Sequence, residues 1–221
     1  MGLFNRKSTA TPTGTTSPAQ ASGSVATLDA PVFDAATSAV ADITGEYVLD
    51  VTHTRIGFSA RHAMVTTVRG QFNDFEATAN IDTANPAASS AEVRIKAASI
   101  DTGNEDRDGH LRSGDFLDVD TYADLVFKTT AVSRKDADTF TVIGDLTIKD
   151  VTRPVSIDFD VTGSARDPFG NLRVGFEGST TINRKDWNLT WNAALETGGV
   201  LVSDKIKLEF DVSAIAVAQQ S

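Results

Sequence analysis

The chain has 221 residues, enough for one large domain with an appendage. With 30 Asp and Glu against 20 Lys and Arg, the net charge is -10, which repels nucleic-acid phosphates and anionic bilayers. No Cys is present, which removes disulfides, thiolate nucleophiles and Cys-ligated zinc or iron–sulfur clusters; packing must hold the fold, and 40% hydrophobic residues with 12 Phe supply it.

Residues 1–44 are rich in Ala, Thr, Ser and Pro and keep no apolar period, so they are expected to form a disordered tail ahead of a folded domain at 45–221. Met1 to Lys7 mixes apolar and basic residues without the apolar run of a secretory leader, and Arg6 stands where a myristoylation pattern needs Ser or Thr. No apolar run approaches the ~18 residues of a transmembrane helix, which makes a soluble cytoplasmic protein the default expectation.

From Tyr47 onward the apolar period is two, the signature of strands with one buried face. Ile56, Phe58 and Ala60 alternate first, and a phase slip between Phe72 and Phe75 implies a β-bulge. Ala91, Val93, Ile95 and Ala97 follow. Asn104 to Leu111, preceded by Thr102-Gly103, reads as the single helix, with Asp108 and Arg112 at the i, i+4 spacing of an ion pair. Leu125 and Phe127 open another strand, then Phe140, Val142, Leu146 and Ile148, then Val155, Ile157, Phe159 and Val161. Leu172, Val174, Phe176 and Ile182 repeat the pattern, and Ile206, Leu208, Phe210 and Val212 close it. Trp187 and Trp191 share a face if their segment is extended. Asn85-Pro86 and the runs 135–138 and 167–170 supply turns, so neighbouring strands are antiparallel. An all-β fold of about eight or nine strands must stack as a sandwich or close as a barrel, with the short helix over one end.

Few constellations carry chemistry. Asn104, Asp106, Asp108, Gly109 and Asp115 fall at calcium-loop positions, but the run lacks the final Glu and holds Arg107, His110 and Arg112, which favours a polar capping helix. His53, His62 and His110 lack the i, i+4 spacing of a helical metal motif, and neither metal nor cofactor is expected. Asp158 and Asp160 fall on a solvent face and read as solubilising rather than catalytic. Arg107, Asp108, His110 and Arg112 suit either an anionic head group or a salt-bridged helix surface, and both readings stay open.

These segments also carry a resemblance. Tyr47-Val48-Leu49-Asp50, Phe58-Ser59-Ala60-Arg61-His62, Val68-Arg69-Gly70-Gln71-Phe72, Ser99-Ile100-Asp101-Thr102, Arg107-Asp108-Gly109-His110-Leu111-Arg112-Ser113, Gly144-Asp145-Leu146-Thr147-Ile148 and Ile182-Asn183-Arg184-Lys185-Asp186-Trp187 occur in order across 45–218. On them the chain resembles the YceI-like family of lipid-binding proteins. Two departures are Ala123 after Tyr122, where the family commonly has Pro, and Asn188 after Trp187, where Gly is usual.

The resemblance implies an extended, lipocalin-like antiparallel β-barrel of about eight strands around an apolar tunnel for an isoprenoid-type lipid, a polyprenyl diphosphate or isoprenoid quinone. The apolar strand faces offer Phe58, Phe72, Phe127, Phe140, Phe159, Phe176, Trp187, Trp191 and Phe210 as residues of such a tunnel. His62, Arg107, Asp108, His110 and Arg112 are the corresponding head-group mouth. The implied role is non-catalytic binding, storage or transport, with no nucleic-acid partner and no integral membrane segment; a homodimer is left open. Two rivals remain: a protein-interaction or stress-response module with a filled barrel, and an enzyme acting on an isoprenoid lipid through His62 or His110.

Overall fold

The structure is a computed structural model, and it describes residues 42–196 and 198–217. The tail expected at 1–44 therefore lies almost wholly outside the described residues, apart from Asp42 to Thr44.

Eleven strand segments make eight staves, because three staves are broken in two. The first is β1 (Gly45–Leu49) with β2 (Arg55–His62), the second β3 (Thr66–Phe72) with β4 (Phe75–Ile81), and the third β5 (Ser90–Lys96) with β6 (Ile100–Asp101). The unbroken staves are β7 (Asp124–Arg134), β8 (Thr139–Ile148), β9 (Val151–Arg166), β10 (Leu172–Asn183) and β11 (Val202–Ala216). All ladders are antiparallel, and β11 closes the ring by pairing Ala214–Ala216 with β1 and Ile206–Asp211 with β2. Closure answers the question the sequence left open between sandwich and barrel, and it removes the free edges that invite aggregation.

The alternation read from the sequence explains the walls. On β9, Val155, Ile157 and Phe159 turn inward while Ser156, Asp158 and Asp160 are exposed. The phase slip between Phe72 and Phe75 is the break at Asn73-Asp74, where the Asn73 amide leaves the β2 ladder and donates to the Ser99 carbonyl at 3.2 Å.

One end of the barrel carries α1 (Glu105–Arg112) and the segment between β10 and β11. It is filled by a packed cluster that includes Ala97, Ile100, Leu117, Ile182, Trp187 and Leu189. The other end carries the connections 82–89, 135–138 and 167–171. There Ile43, Tyr47, Val174 and Ala214 form a smaller cluster.

Two expectations change. Ile43 is 1% exposed and its carbonyl accepts the Tyr47 hydroxyl at 2.7 Å, so ordered packing begins before Gly45. Trp187 and Trp191 do not share a strand face: Arg184–Trp187 is a single 3-10 turn, ended by Asn188 in the left-handed region at φ 59°. That conformation is the physical reason for a Gly preference at this position, since Asn is among the few side chains that tolerate it.

Candidate functional site

Inside the barrel lies a cavity of about 270 Å³, walled by residues from all eight staves. Its presence accounts for a peculiarity of the burial pattern: Val93, Phe127, Phe140, Phe159, Leu208 and Phe210 alternate with solvent-facing neighbours, yet each is only partly buried. They border a hollow, although the Phe159 and Phe210 rings also meet, with centroids 5.7 Å apart.

Of the nine expected tunnel residues, Phe72, Phe127, Phe140, Phe159, Phe176 and Phe210 border the cavity. Three do not. Phe58 packs beside Phe72, with ring centroids 5.8 Å apart. Trp187 is buried in the cluster at the helix end, where its indole N–H donates to the Leu146 carbonyl at 3.0 Å. Trp191 packs against His110 and Phe116 at centroid distances of 4.5 and 5.3 Å. Tyr47, Ile81, Val132, Leu146 and Val212 also line the cavity; for most of them the shared inward phase of each strand was the available signal.

Glycines set how the aromatic rings lie. The Phe58 ring covers Gly70, the Phe127 ring covers Gly144 and the Phe159 ring covers Gly178, each so closely that a Cβ on the glycine would collide with it. A ring spread over bare backbone lies along the wall, which leaves the lumen open.

The five expected head-group residues sit at the helix end, away from the cavity lining. Asn104 caps α1, its Oδ1 accepting the Arg107 amide at 2.9 Å. Buried Asp108 accepts the Thr102 amide at 2.9 Å and also the Thr102 hydroxyl, so it makes no pair with Arg112. Arg107 donates to the Thr102 hydroxyl and carbonyl at 2.7 and 2.9 Å, and Arg112 to the Ala98 and Ile100 carbonyls at 2.8 and 2.7 Å. His110 Nε2 lies 2.9 Å from Asp115, and His62 is exposed at the end of β2. The cations are engaged in fixing α1 to the chain beside it. The polar residues of the cavity lining instead include Asn80, Asp82, Ser89 and Ser90 at the opposite end, together with Thr54, Thr78 and Thr129 along the wall. Among the described residues, no group of three or more His, Asp or Glu is arranged to hold a metal ion, and no helix is long and apolar enough to cross a membrane.

Two buried charges brace the barrel outside the cavity. Arg184, 3% exposed, donates Nε to the Ser203 carbonyl at 3.1 Å and Nη1 to the Leu189 and Trp191 carbonyls at 2.6 and 2.8 Å. Asp50, 8% exposed at the break between β1 and β2, accepts from Thr52 and from Arg173, which also holds Asp167 at 2.9 Å. Burial pushes the Asp50 carboxyl up, but hydrogen bonds from Thr52, His53 and Arg173 outweigh it and hold the group well below the ordinary carboxylate range.

The YceI-like domain model matches residues 47–214. The UPF0312 protein of Yersinia enterocolitica is 39% identical over 150 residues, covering 67% of this chain and 78% of that protein. Among solved structures, the Campylobacter jejuni YceI protein is 31% identical with a TM-score of 0.62, covering 77% of this chain and 97% of that one. A polyisoprenoid binding domain from Saccharophagus degradans shares the fold at 19% identity and a TM-score of 0.58, covering 77% and 98% of the two chains. The chain belongs to the YceI-like family.

Proposed function

We propose that the protein is a non-catalytic carrier or store for an isoprenoid-type lipid, a polyprenyl diphosphate or an isoprenoid quinone, whose tail lies in the barrel cavity. The observation that carries this reading is the cavity itself: about 270 Å³ bounded almost entirely by apolar side chains, with six Phe among them. Such a volume is close to the lower bound of ~300 Å³ for small-molecule pockets. Left empty, its lining forgoes dispersion contacts that an apolar occupant would supply. A polyisoprenoid binding domain with the same fold supports the choice of lipid class. Among the described residues, the lining offers neither a nucleophile–base pair nor a His to drive a reaction, which favours the carrier over the enzymatic rival.

The test is the organic extract of the purified protein, together with a thermal melt in the presence of added isoprenoid. A co-purifying lipid at near-equal stoichiometry is expected, and a ligand at 100 times its Kd raises stability by about 2.7 kcal/mol. An empty extract with no shift of the melt would favour the interaction module instead.

A further inference from the structure

We infer that the cavity selects a lipid with an uncharged head group and discriminates against a diphosphate. The inference rests on the carrier reading above and narrows its ligand class. Among the described residues, no Lys, Arg or His lines the cavity, and Asp82 is the one acidic residue that does. Asp82 lies beyond the end of β4, close to Ser89, whose Oγ accepts the Asp82 amide at 2.9 Å. Its own Oδ1 accepts the Asn85 amide at 2.8 Å.

The described basic side chains at this end are engaged elsewhere: Arg166 donates to the Gly170 carbonyl at 3.0 Å, and Arg173 holds Asp50 and Asp167. Arg134 donates Nη1 to the Ala137 carbonyl at 2.7 Å and Nη2 to the Thr83 carbonyl at 3.3 Å, and its guanidinium lies 4.6 Å from the centroid of the Phe140 ring. Lys135 is held by Asp158 at 2.6 Å. At the opposite end Arg107 and Arg112 hold main-chain carbonyls, and the packed cluster fills the barrel there. A diphosphate drawn to the cavity border would lose hydration, find no cation among the described residues that line it and face the like charge of Asp82. A quinone carbonyl or an alcohol hydroxyl carries no net charge and loses far less by leaving water.

The test compares geranylgeraniol with geranylgeranyl diphosphate, which share one tail, by displacement of a fluorescent fatty probe from the full chain. The alcohol is expected to bind about tenfold more tightly or better. Asp82→Asn keeps an acceptor for the Asn85 amide while removing the charge, and it is expected to narrow that ratio severalfold. Asp136→Asn, a carboxylate outside the cavity lining, should leave the ratio as it is. Equal or tighter binding of the diphosphate overturns the inference and leaves the carrier reading standing. Binding of neither ligand overturns the carrier reading itself, and an unchanged ratio in Asp82→Asn overturns the role given to that carboxylate.

Discussion

The ring of Phe159 lies across Gly178, its partner in the β9–β10 ladder, so closely that a Cβ on the glycine would stand 2.6 Å from the ring. The absence of a side chain on one strand thus determines where the aromatic ring of the next strand rests. Phe58 with Gly70 repeats the relationship in the β2–β3 ladder. Of the two rings only that of Phe159 borders the cavity, where it lies against the wall; the Phe58 ring packs beside Phe72.

Gly178→Ala is accordingly expected to push the Phe159 ring toward the cavity, because the new methyl would also stand 2.9 Å from the Asp158 carbonyl and has little room on that side. Overpacking of this kind costs about 1–3 kcal/mol. Urea denaturation should show the loss, and a lipid titration should show weakened binding. A variant with native stability and affinity would mean that the ring does not depend on the bare glycine.

Acid should weaken the barrel through Arg173 and its two carboxylates. The Asn171 side chain, helped by Arg173 and by the backbone amides of Phe169 and Asn171, outweighs burial and holds Asp167 down to about 2. Asp50 is also held below the ordinary carboxylate range. Unfolded, both groups return to ~3.9, so their contribution is complete at neutral pH and is lost as pH falls from about 4 through the lowered native values. Arg173→Met is expected to lower stability at neutral pH, because both carboxylates lose a charged hydrogen-bond donor. Denaturant midpoints across the acid range should decline less steeply for the variant than for the native chain; identical slopes would exclude this clamp as the acid-sensitive element.

Truncation should distinguish the tail from the packed residues that follow it. A chain beginning at Asp42 is expected to melt like the full one, because residues 1–41 carry no apolar pattern with which to dock. A chain beginning at Gly45 loses Ile43, 1% exposed, along with the carbonyl that accepts the Tyr47 hydroxyl. Removing that contact should cost about 2–4 kcal/mol. Ile43→Ala in the full chain isolates the side-chain share, and equal melting of all these variants would show that Ile43 contributes nothing.

Arg184→Lys should loosen the helix end. The guanidinium donates to the Leu189 and Trp191 carbonyls of the segment between β10 and β11 and to the Ser203 carbonyl on β11, and an ammonium on a flexible stem cannot match that planar arrangement. Desolvation of a cation left with fewer partners is expected to cost about 2–4 kcal/mol. Hydrogen exchange of the amides at 184–203 reads the effect locally, and unchanged protection there would remove Arg184 from the account.

By itself the sequence determined the strands and their inward faces, because the alternation of Val155, Ile157 and Phe159 with Ser156, Asp158 and Asp160 is a local property of a pleated chain. It determined the helix too, to within one residue at each end: the run 104–111 reads as helical, and α1 spans Glu105–Arg112 with Asn104 as its cap. Six of the nine residues expected to border a cavity do border it, since a period of two tells which side chains turn inward. The tertiary structure decided what depends on partners remote in the chain. The collision site of Gly178 lies on β9, the donors of Arg112 find carbonyls on the segment around β6, and Ile43 is buried beside Val174 and Ala214. A cluster of cations in a sequence has the same composition whether it faces a ligand or its own backbone. Only the fold showed that Arg107 and Arg112 hold main-chain carbonyls at one end while the polar border of the cavity lies at the other, because closing the ring against β11 determines which loops share an end.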